Sequence, residues 1–248
     1  MRAQLSVIVP TLNAETTLGS CFAGLMEGLD AGLIREVIVS DGGSSDGTGA
    51  QAQAWGADVV HGTASRGGQL RRGVAAARGE WFLILHADTV LAPGWSGAVI
   101  AHMQGRRAGW FRLSFDRRGL APSMVAGWAN LRSRMGLPYG DQGLLVHRDV
   151  YRATGGYRDI PLMEDVALAR ALRGQLTPVD AVAITSASKY RQHGWLSRGS
   201  RNLWTLLRYL CGTSPMRLAQ SYDRRRKLPL AADPKDARAR DTIDDARG

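Results

Sequence analysis

One stretch, residues 37–48, limits the folds open to this chain more than any other. A short apolar run ends at Ser40 and Asp41, two glycines and two serines follow, and a helical pattern then begins. The apolar run predicts a buried strand, the glycines permit a tight turn that a ligand can approach closely, and Ser44 or Ser45 can cap the helix. Asp41 would stand at the carboxyl end of a strand, where open α/β sheets bind ligands, although an ordinary capping role fits it equally well.

The first half of the chain repeats this alternation of strand and helix. Residues 5–9 predict a first strand that ends at Pro10, residues 58–60 predict a third, and residues 81–85 predict a fourth. The segments between them carry apolar residues at helical spacing. Such alternation predicts the α/β class, with a mostly parallel sheet and helices on both faces. This half would end near Met103.

A second carboxylate follows the fourth predicted strand, in His86-Ala87-Asp88. Because the carboxyl ends of parallel strands meet at one edge of a sheet, Asp41 and Asp88 would face the same crevice. Hard oxygen ligands of this kind hold Mg²⁺ or Mn²⁺, which in turn hold substrate phosphates. The sequence therefore predicts a metal-assisted phosphate site at this edge.

The turn at residues 66–73 places arginines and glycines at the start of an alanine-rich helix. That arrangement suits a phosphate or a nucleobase edge. A solvated basic turn is the simpler interpretation and is slightly favoured. Asn13 and Glu15, in the turn after the first strand, have the same two interpretations. They are either ligand contacts or an ordinary helix cap and dipole partner.

The second half is less regular. Residues 109–115, 144–147 and 179–186 predict strands. A helix between the first two carries an apolar stripe that we expect to pack in the core, formed by Met124, Val125, Trp128, Leu131 and Met135. Glu164 and Asp165 are adjacent at a helix start, where they either complement the helix dipole or supply a general base.

A basic stretch and an amphipathic helix follow the last predicted strand. The stretch contains Lys189, Arg191 and His193, and the helix covers residues 196–210. This helix could cover an active site, lie on a membrane surface or pack as an ordinary terminal helix. Residues 229–248 are charge-rich and poor in large apolar side chains, which predicts a disordered tail.

Charge and cysteine content narrow the classes of partner. The 248 residues carry a formal charge of +10, which suits anionic partners such as nucleic acid, anionic lipid or phosphorylated small molecules. Two cysteines are too few for a disulfide framework. No signal peptide or membrane-length apolar run is visible. We therefore expect a cytoplasmic location. A peripheral position on the inner membrane face is the alternative.

Several motifs together resemble family 2 glycosyltransferases of the GT-A fold. They are Val9-Pro10-Thr11-Leu12-Asn13-Ala14-Glu15, Val39-Ser40-Asp41-Gly42-Gly43-Ser44-Ser45-Asp46-Gly47-Thr48, Ala76-Ala77-Arg78-Gly79-Glu80, His86-Ala87-Asp88 and Met163-Glu164-Asp165. With Gly140-Asp141-Gln142, the later motifs resemble a bacterial subgroup associated with radical-SAM and selenium-related genes. The resemblance implies one GT-A domain over residues 1–228. Its nucleotide-sugar half would be residues 1–103, and residues 104–228 would form a smaller acceptor half.

The resemblance also implies an activity and a role for each matching residue. A sugar would move from a UDP- or GDP-type donor to an acceptor hydroxyl, with Mg²⁺ or Mn²⁺ and usually with inversion. Asp165 would be the general base, Glu164 would place the acceptor, and Asp88 would hold the metal. The donor would be bound by Pro10, Thr11, Asn13, Glu15, Asp41, Gly42, Gly43, Arg66, Gln69, Arg72, Ala87 and Asp88. The acceptor or diphosphate would be bound by Asp141, Gln142, Lys189, Arg191 and His193.

The chain departs from the family pattern at His86, which stands where the first acid of the D-x-D motif is expected. A ribose or metal contact is therefore in question, and metal affinity is expected to be lower. The Q-x-x-R-W motif of processive synthases is also absent, since Arg191-Gln192-His193-Gly194-Trp195 has another order. A processive synthase is not expected.

Three other classes of protein can be compared with the sequence. A nucleotidyltransferase would need a glycine-rich basic loop directly after the first strand, and residues 10–15 contain none. A dehydrogenase would need G-x-G-x-x-G there, which is also missing. A non-catalytic basic protein that binds nucleic acid or membrane, built on a degenerate transferase fold, fits the charge. The acidic strand ends argue against it, and salt-sensitive retention of DNA would favour it.

Overall fold

A computed structural model describes residues 3–227, apart from the side chains of Lys189, Gln192, His193, Leu196 and residues 222–227. The strands are β1 (Leu5–Thr11), β2 (Ile34–Asp41), β3 (Asp58–His61), β4 (Trp81–Ile84), β5 (Thr89–Leu91), β6 (Ala108–Phe115), β7 (Leu144–His147) and β8 (Leu176–Thr185). The helices are α1 (Glu15–Asp30), α2 (Thr48–Ala54), α3 (Arg66–Ala76), α4 (Trp95–Met103), α5 (Leu120–Arg134), α6 (Arg148–Ala153), α7 (Glu164–Ala171), α8 (Ser188–His193), α9 (Trp195–Leu210) and α10 (Pro215–Lys227), with a 3₁₀ turn at Gly140–Gln142.

All eight strands belong to one sheet, in the order β3-β2-β1-β4-β7-β6-β8-β5. The first four in this order are mutually parallel, and so are β6 and β8. Strand β7 runs antiparallel to both of its neighbours, and β5 runs antiparallel to β8. The predicted α/β class with a mostly parallel sheet is confirmed.

Alternating side chains of the central strands supply two cores, one on each face of the sheet. In β1, Val7 and Val9 join the core beneath α1 and α4, whereas Ile8 joins the core beneath α3, α6 and α7. In β4, Leu83 and Ile84 divide in the same way. Because both faces of the sheet are covered, these strands are continuous apolar runs in the sequence. Each large apolar side chain that is fully buried stabilises the fold by about 1.5–3 kcal/mol.

The predicted cap of the second helix is wrong. Helix α2 begins at Thr48, and no side chain caps it at the preceding Gly47. Ser44 and Ser45 are used elsewhere: the Ser44 hydroxyl donates to Asp41, and the Ser45 backbone N–H donates to a neighbouring loop. Serines close to a helix start compete for several local donors and acceptors, and here the loop contacts prevail.

The expected core position of the α5 stripe is also wrong for most of its members. Val125 is half-buried, but Met124 is 70% exposed, and Trp128, Leu131 and Met135 are exposed as well. The spacing correctly predicts a helix, α5, but no described element covers the face that carries these exposed side chains. Strand β5, which the sequence did not indicate, has only three residues and follows directly after Asp88.

The boundary expected near residue 103 falls between α4 and β6, and one sheet continues across it. The described helices include none that is long and apolar enough to cross a membrane. The predicted disordered tail, residues 229–248, lies outside the described residues.

Candidate active site

A cavity of about 130 Å³ collects carboxylates from three separate parts of the chain. Asp88 comes from the segment after β4, Asp141 from the 3₁₀ turn, and Asp165 from the start of α7. The remaining lining residues come from the segment after β4, the end of β8, the start of α3 and the 3₁₀ turn. Others come from the loops before that turn and before α7, and from α8 and α9. They are Arg66, His86, Tyr139, Gly140, Leu162, Met163, Thr185, Ser186, Tyr190, Arg198, Asn202 and Thr205.

Asp165 is held in a defined orientation at the amino end of α7. Its Oδ2 accepts the Gly140 backbone N–H at 2.8 Å, and its Oδ1 accepts the Val166 N–H at 2.7 Å. The helix dipole favours a carboxylate in this first turn. Met163, just before the helix, has a left-handed backbone (φ 68°), a conformation that costs a non-glycine residue free energy and is often found at functional sites.

Glu164 lies behind Asp165 rather than in the cavity. It is 3% exposed, and its Oε2 is buried without a hydrogen-bond partner among the described atoms. Burial, reinforced by the charge of Asp165 and partly opposed by Arg66, raises the pKa of Glu164 to about 8. Burial thus favours the neutral form of Glu164, and a direct contact between Glu164 and an acceptor stays a prediction.

The segment His86-Ala87-Asp88 packs tightly against the 3₁₀ turn. A Cβ added to Gly140 would lie 2.5 Å from His86 Nε2, so any larger residue at that position would displace the His86 ring. The backbone carbonyl of Asp88 accepts the Ser186 N–H at 3.1 Å, which ties this segment to the end of β8. Burial and the nearby charge of Asp88 raise the pKa of Cys21 to about 12, which makes that thiol unreactive.

Asp141 is the most electrostatically constrained carboxylate of the cavity. Burial raises the pKa of Asp141 above its ordinary value, and the charges of Asp165 and Asp88 raise it further. Arg132 and His86 oppose this shift. Asp141 Oδ1 is buried and has no hydrogen-bond partner among the described atoms. An oxygen in this position suits a hydroxyl group or a cation that enters the cavity.

The donor set fits a hard divalent cation. Asp88, Asp141 and Asp165 all line the cavity, and carboxylate oxygens are the ligands that Mg²⁺ and Mn²⁺ prefer. Among residues 3–227, no three histidine, cysteine, aspartate or glutamate side chains already surround a single point at which a metal could sit. This suits Mg²⁺, which commonly takes only one or two protein carboxylates and completes its shell with substrate phosphates and water.

Asp41 organises the loop that follows β2. Its Oδ2 accepts the N–H groups of Gly43 and Ser44, at 2.9 and 2.8 Å, and its Oδ1 accepts the hydroxyls of Thr11 and Ser44. Burial raises the pKa of Asp41, but these hydrogen bonds outweigh burial and hold the pKa below its ordinary value. Asp41 does not line the cavity, and its contact with a nucleotide stays a prediction.

Asn13 and Glu15 join the loop after β1 to the loop after β2. Asn13 Oδ1 accepts the Ser45 N–H at 2.9 Å, and its own N–H donates to Ser44 Oγ at 2.8 Å. Glu15 Oε2 accepts the Gly47 N–H at 3.0 Å. The two predicted nucleotide residues therefore hold the same loop as Asp41, and both are exposed.

Gln69 and Arg72 attach α3 to this region from the other side. Gln69 Nε2 donates to the Thr11 carbonyl at 2.6 Å and lies where a Cβ on Gly42 would clash. Arg72 Nη2 donates to the Asp41 carbonyl at 3.3 Å. Of the predicted residues on α3, only Arg66 reaches the cavity. Pro10 lies in β1, Ala87 is buried beside Asp88, and Gly43 makes the turn with φ 91°.

Of the remaining predicted acceptor or diphosphate residues, Gln142 and Arg191 do not line the cavity. Gln142 is fully buried, and its amide contacts Ser133 and the Phe111 carbonyl. Arg191 is exposed and does not line the cavity, and the side chains of Lys189 and His193 lie outside those that the structure describes.

Covering an active site was one of the roles open to α9 from its sequence, but the sequence did not identify the residues of α9 that line the cavity. Arg198, Asn202 and Thr205 recur at helical spacing and line the cavity. Arg198 lies 5.2 Å from the centre of the Tyr190 ring, and its Nε is buried without a partner among the described atoms. The same spacing is visible in the sequence, but only packing shows which face of the amphipathic helix turns inward.

A partly parallel sheet with acidic side chains at its carboxyl edge is typical of enzymes that bind nucleotide sugars. Residues 6–132, half of the chain, match the model of Glycosyl transferase family 2, and the chain belongs to that family. The family expected from the sequence is therefore confirmed. The match does not test the narrower subgroup associated with radical-SAM and selenium-related genes, which stays a prediction.

The relatives agree with the family and the fold. Glucosyl-3-phosphoglycerate synthase of Mycolicibacterium paratuberculosis is 35% identical over 95 residues, which is 35% of this chain and 29% of that protein. A mannosyltransferase from Pyrobaculum calidifontis, solved with GDP-Man and Mn²⁺, has a TM-score of 0.64 at 21% identity and covers 87% of this chain and 66% of its own. Glucosyl-3-phosphoglycerate synthase from Mycobacterium tuberculosis, solved with Mn²⁺, UDP and phosphoglyceric acid, has a TM-score of 0.57 at 21% identity. The alignment covers 85% of this chain and 79% of the solved chain. The match spans less than a third of the length of the curated relatives. The structural likeness confirms the GT-A fold.

Proposed function

We propose that this enzyme transfers a sugar from a UDP- or GDP-type donor to an acceptor hydroxyl, with Asp165 as the general base and Asp88 at the donor diphosphate. The observation that carries the proposal is that Asp88 and Asp165, 77 positions apart in the sequence, line the same cavity. A base must lie within hydrogen-bonding reach of the hydroxyl that it deprotonates, and the cavity offers such a place beside Asp165.

A divalent cation, Mg²⁺ or Mn²⁺, belongs to the proposal because the carboxylates suit it and because both solved relatives contain Mn²⁺. Asp88 would hold the cation, with Asp141 as an additional carboxylate of the same cavity. A bound cation supplies charge stabilisation to a leaving diphosphate. With His86 in place of a first acid, fewer protein ligands hold the cation, and we expect the nucleotide to complete the site.

The proposed reaction is a single displacement. The acceptor oxygen attacks C1 of the sugar, the bond from C1 to the diphosphate oxygen breaks, and Asp165 receives the hydroxyl proton. Attack opposite to the leaving group inverts the anomeric carbon. Arg66 and Arg198 line the same cavity, where their charges can stabilise the departing diphosphate.

The first test is thermal unfolding with UDP, GDP and their sugars, each with and without Mn²⁺. A ligand that binds only the folded protein stabilises it by about 2.7 kcal/mol at a hundredfold excess over its Kd. We expect a Mn²⁺-dependent rise with one nucleotide and a larger rise when the correct sugar is attached. If no nucleotide or nucleotide sugar raises the midpoint, the proposed donor is wrong.

Two isosteric variants separate the proposed roles. Asp88→Asn is expected to lose the Mn²⁺-dependent part of the shift. Asp165→Asn is expected to keep that shift while the rate of transfer falls by about 10²–10⁴-fold, which is the usual contribution of a general base. Asp165→Asn protein that transfers sugar at the wild-type rate would show that another group is the base.

The acceptor, the narrower subgroup and the cytoplasmic location stay predictions. Phosphoglyceric acid is bound in the solved Mycobacterium tuberculosis synthase, which is 21% identical to this chain.

A further inference from the structure

Helix α5 exposes an apolar stripe along its length. The exposed residues recur at intervals of three or four, which places them on one face of the helix. They are Leu120, Met124, Trp128, Leu131 and, just after the helix, Met135. Single exposed apolar residues are ordinary, but a continuous set marks an interaction surface.

Helix α9 carries a second exposed apolar set, formed by Leu203, Trp204, Leu207 and Leu210. The two helices pack together, since Trp128 and Leu203 line one small cavity, and a Cβ on Gly199 would lie 4.0 Å from Val125. The two sets are therefore neighbours, and we call the nine residues the apolar face.

Basic side chains accompany the apolar face. Residues 117–135, which include α5, contain no acidic residue. Arg117, Arg118, Arg134 and Arg217 are exposed. Apolar and tryptophan side chains beside arginines are typical of a surface that lies in the interface of an anionic bilayer.

Two other occupants suit the apolar face less well. A second copy of this chain would bring two strongly basic regions together, and like charges oppose that contact. The last segment of the chain, residues 228–248, contains only Leu228, Leu230 and Ile243 as large apolar residues, too few to cover nine.

We propose that the apolar face docks this protein on an anionic membrane surface. The opposite face of α9 lines the active-site cavity through Arg198, Asn202 and Thr205. The smaller cavity at Trp128 and Leu203 also shares Asp141 and Asn202 with the active site. Docking therefore brings the bilayer close to the cavity. The proposal does not depend on the proposed function, because binding is measured without sugar transfer.

The test is flotation of the full chain with vesicles of phosphatidylcholine alone, or with about a third phosphatidylglycerol. We expect flotation with the anionic vesicles, weakened by salt, and little with the neutral ones. No flotation with either, or equal flotation with both, would overturn the proposal.

Leu207→Glu and Leu29→Glu form a matched pair, because both leucines are 45% exposed on helices and only Leu207 lies in the apolar face. Leu207→Glu is expected to weaken vesicle binding by at least about tenfold, since it removes an apolar contact and adds a repelled charge. Leu29→Glu is expected to leave binding unchanged. Equal losses in the two variants would overturn the proposal.

Met124→Gln supplies a second variant on the other helix, at a position exposed enough to leave folding intact. It is expected to weaken binding as well, in protein whose unfolding midpoint matches the wild type. Light scattering completes the test by measuring the oligomeric state. If the wild type does not float and is a dimer that Leu207→Glu dissociates, the apolar face binds a second copy and the proposal is overturned.

Discussion

Glu164 and Asp165 are neighbours in the chain, but they meet different surroundings. Asp165 turns into the cavity and accepts two backbone N–H groups, whereas Glu164 is buried behind it with an unpartnered oxygen. Burial of an unpaired carboxyl group disfavours its charged form. One residue of the pair therefore suits proton transfer, and the other is held neutral by its position.

This difference predicts a pH effect for Glu164→Gln. The pKa of Glu164 is about 8 in the folded protein against an ordinary 4.5, so the unfolded chain releases its proton first as pH rises. Glu164 then lowers stability progressively between those two values, by up to a few kcal/mol. Glutamine cannot ionise, so the variant should gain stability over the wild type as pH rises from 5 to about 8.

Thermal unfolding at several pH values measures this effect, with Glu80→Gln at an exposed site as the control. The control is expected to follow the wild type across the range. A constant difference between Glu164→Gln and the wild type at all pH values would contradict the assigned pKa.

At the scale of elements, the loops after β1 and β2 are joined by polar contacts rather than by apolar packing. Asn13 and Glu15 bond to residues 44–47, and Asp41 accepts hydrogen bonds from both loops. Helix α3 adds Gln69 and Arg72 to the same region. The loops are thus shaped before a ligand binds, which reduces the entropy lost on binding.

Asp41→Asn tests this arrangement. An asparagine amide cannot accept both N–H groups of Gly43 and Ser44 while it also accepts the Thr11 hydroxyl, so about 1–3 kcal/mol of stability should be lost. Because the pKa of Asp41 is lowered in the folded state, its contribution is present above the ordinary pKa and disappears as pH falls. The deficit of the variant should therefore shrink in acid.

Denaturant unfolding at neutral and acidic pH measures both effects. Asp30→Asn, at the exposed end of α1, is the matched control and should change stability little. If Asp41→Asn and Asp30→Asn unfold at the same denaturant concentration at pH 7, the loop does not depend on the Asp41 carboxylate.

At the scale of the whole molecule, the two halves of the chain share one sheet. Strand β5, from the first half, pairs with β8 from the second, and β4 pairs with β7. The three adjacent strands of the second half, β7, β6 and β8, are thus paired on both sides with strands of the first half, and unfolding of the first half would leave both of those edges unpaired.

We expect the protein to unfold in a single cooperative transition. Far-ultraviolet circular dichroism and tryptophan fluorescence should then give coincident thermal curves. Saturating nucleotide should move both curves together. Two separated transitions would contradict the single domain predicted for residues 1–228.

Local patterns predicted much of the fold. Strands β1, β4, β6 and β7 were placed within a residue or two, because buried strands are continuous apolar runs. Strand β5 was missed, because three residues carry too little pattern. The pattern also misplaced the start of α2, since several acceptors compete for the same serines.

The sequence by itself determined which acidic side chains are available for chemistry, because acidic residues that follow apolar runs mark the ligand-binding edge of an α/β sheet. Which of those residues share a cavity was decided by tertiary structure. Asp88, Asp141 and Asp165 meet because strands distant in sequence pair in the sheet, whereas Asp41 and Gln142 are committed to hydrogen bonds within the fold. The exposure of α5 was decided in the same way. Periodicity specifies which side chains share a helix face, but whether that face is buried depends on what packs against it.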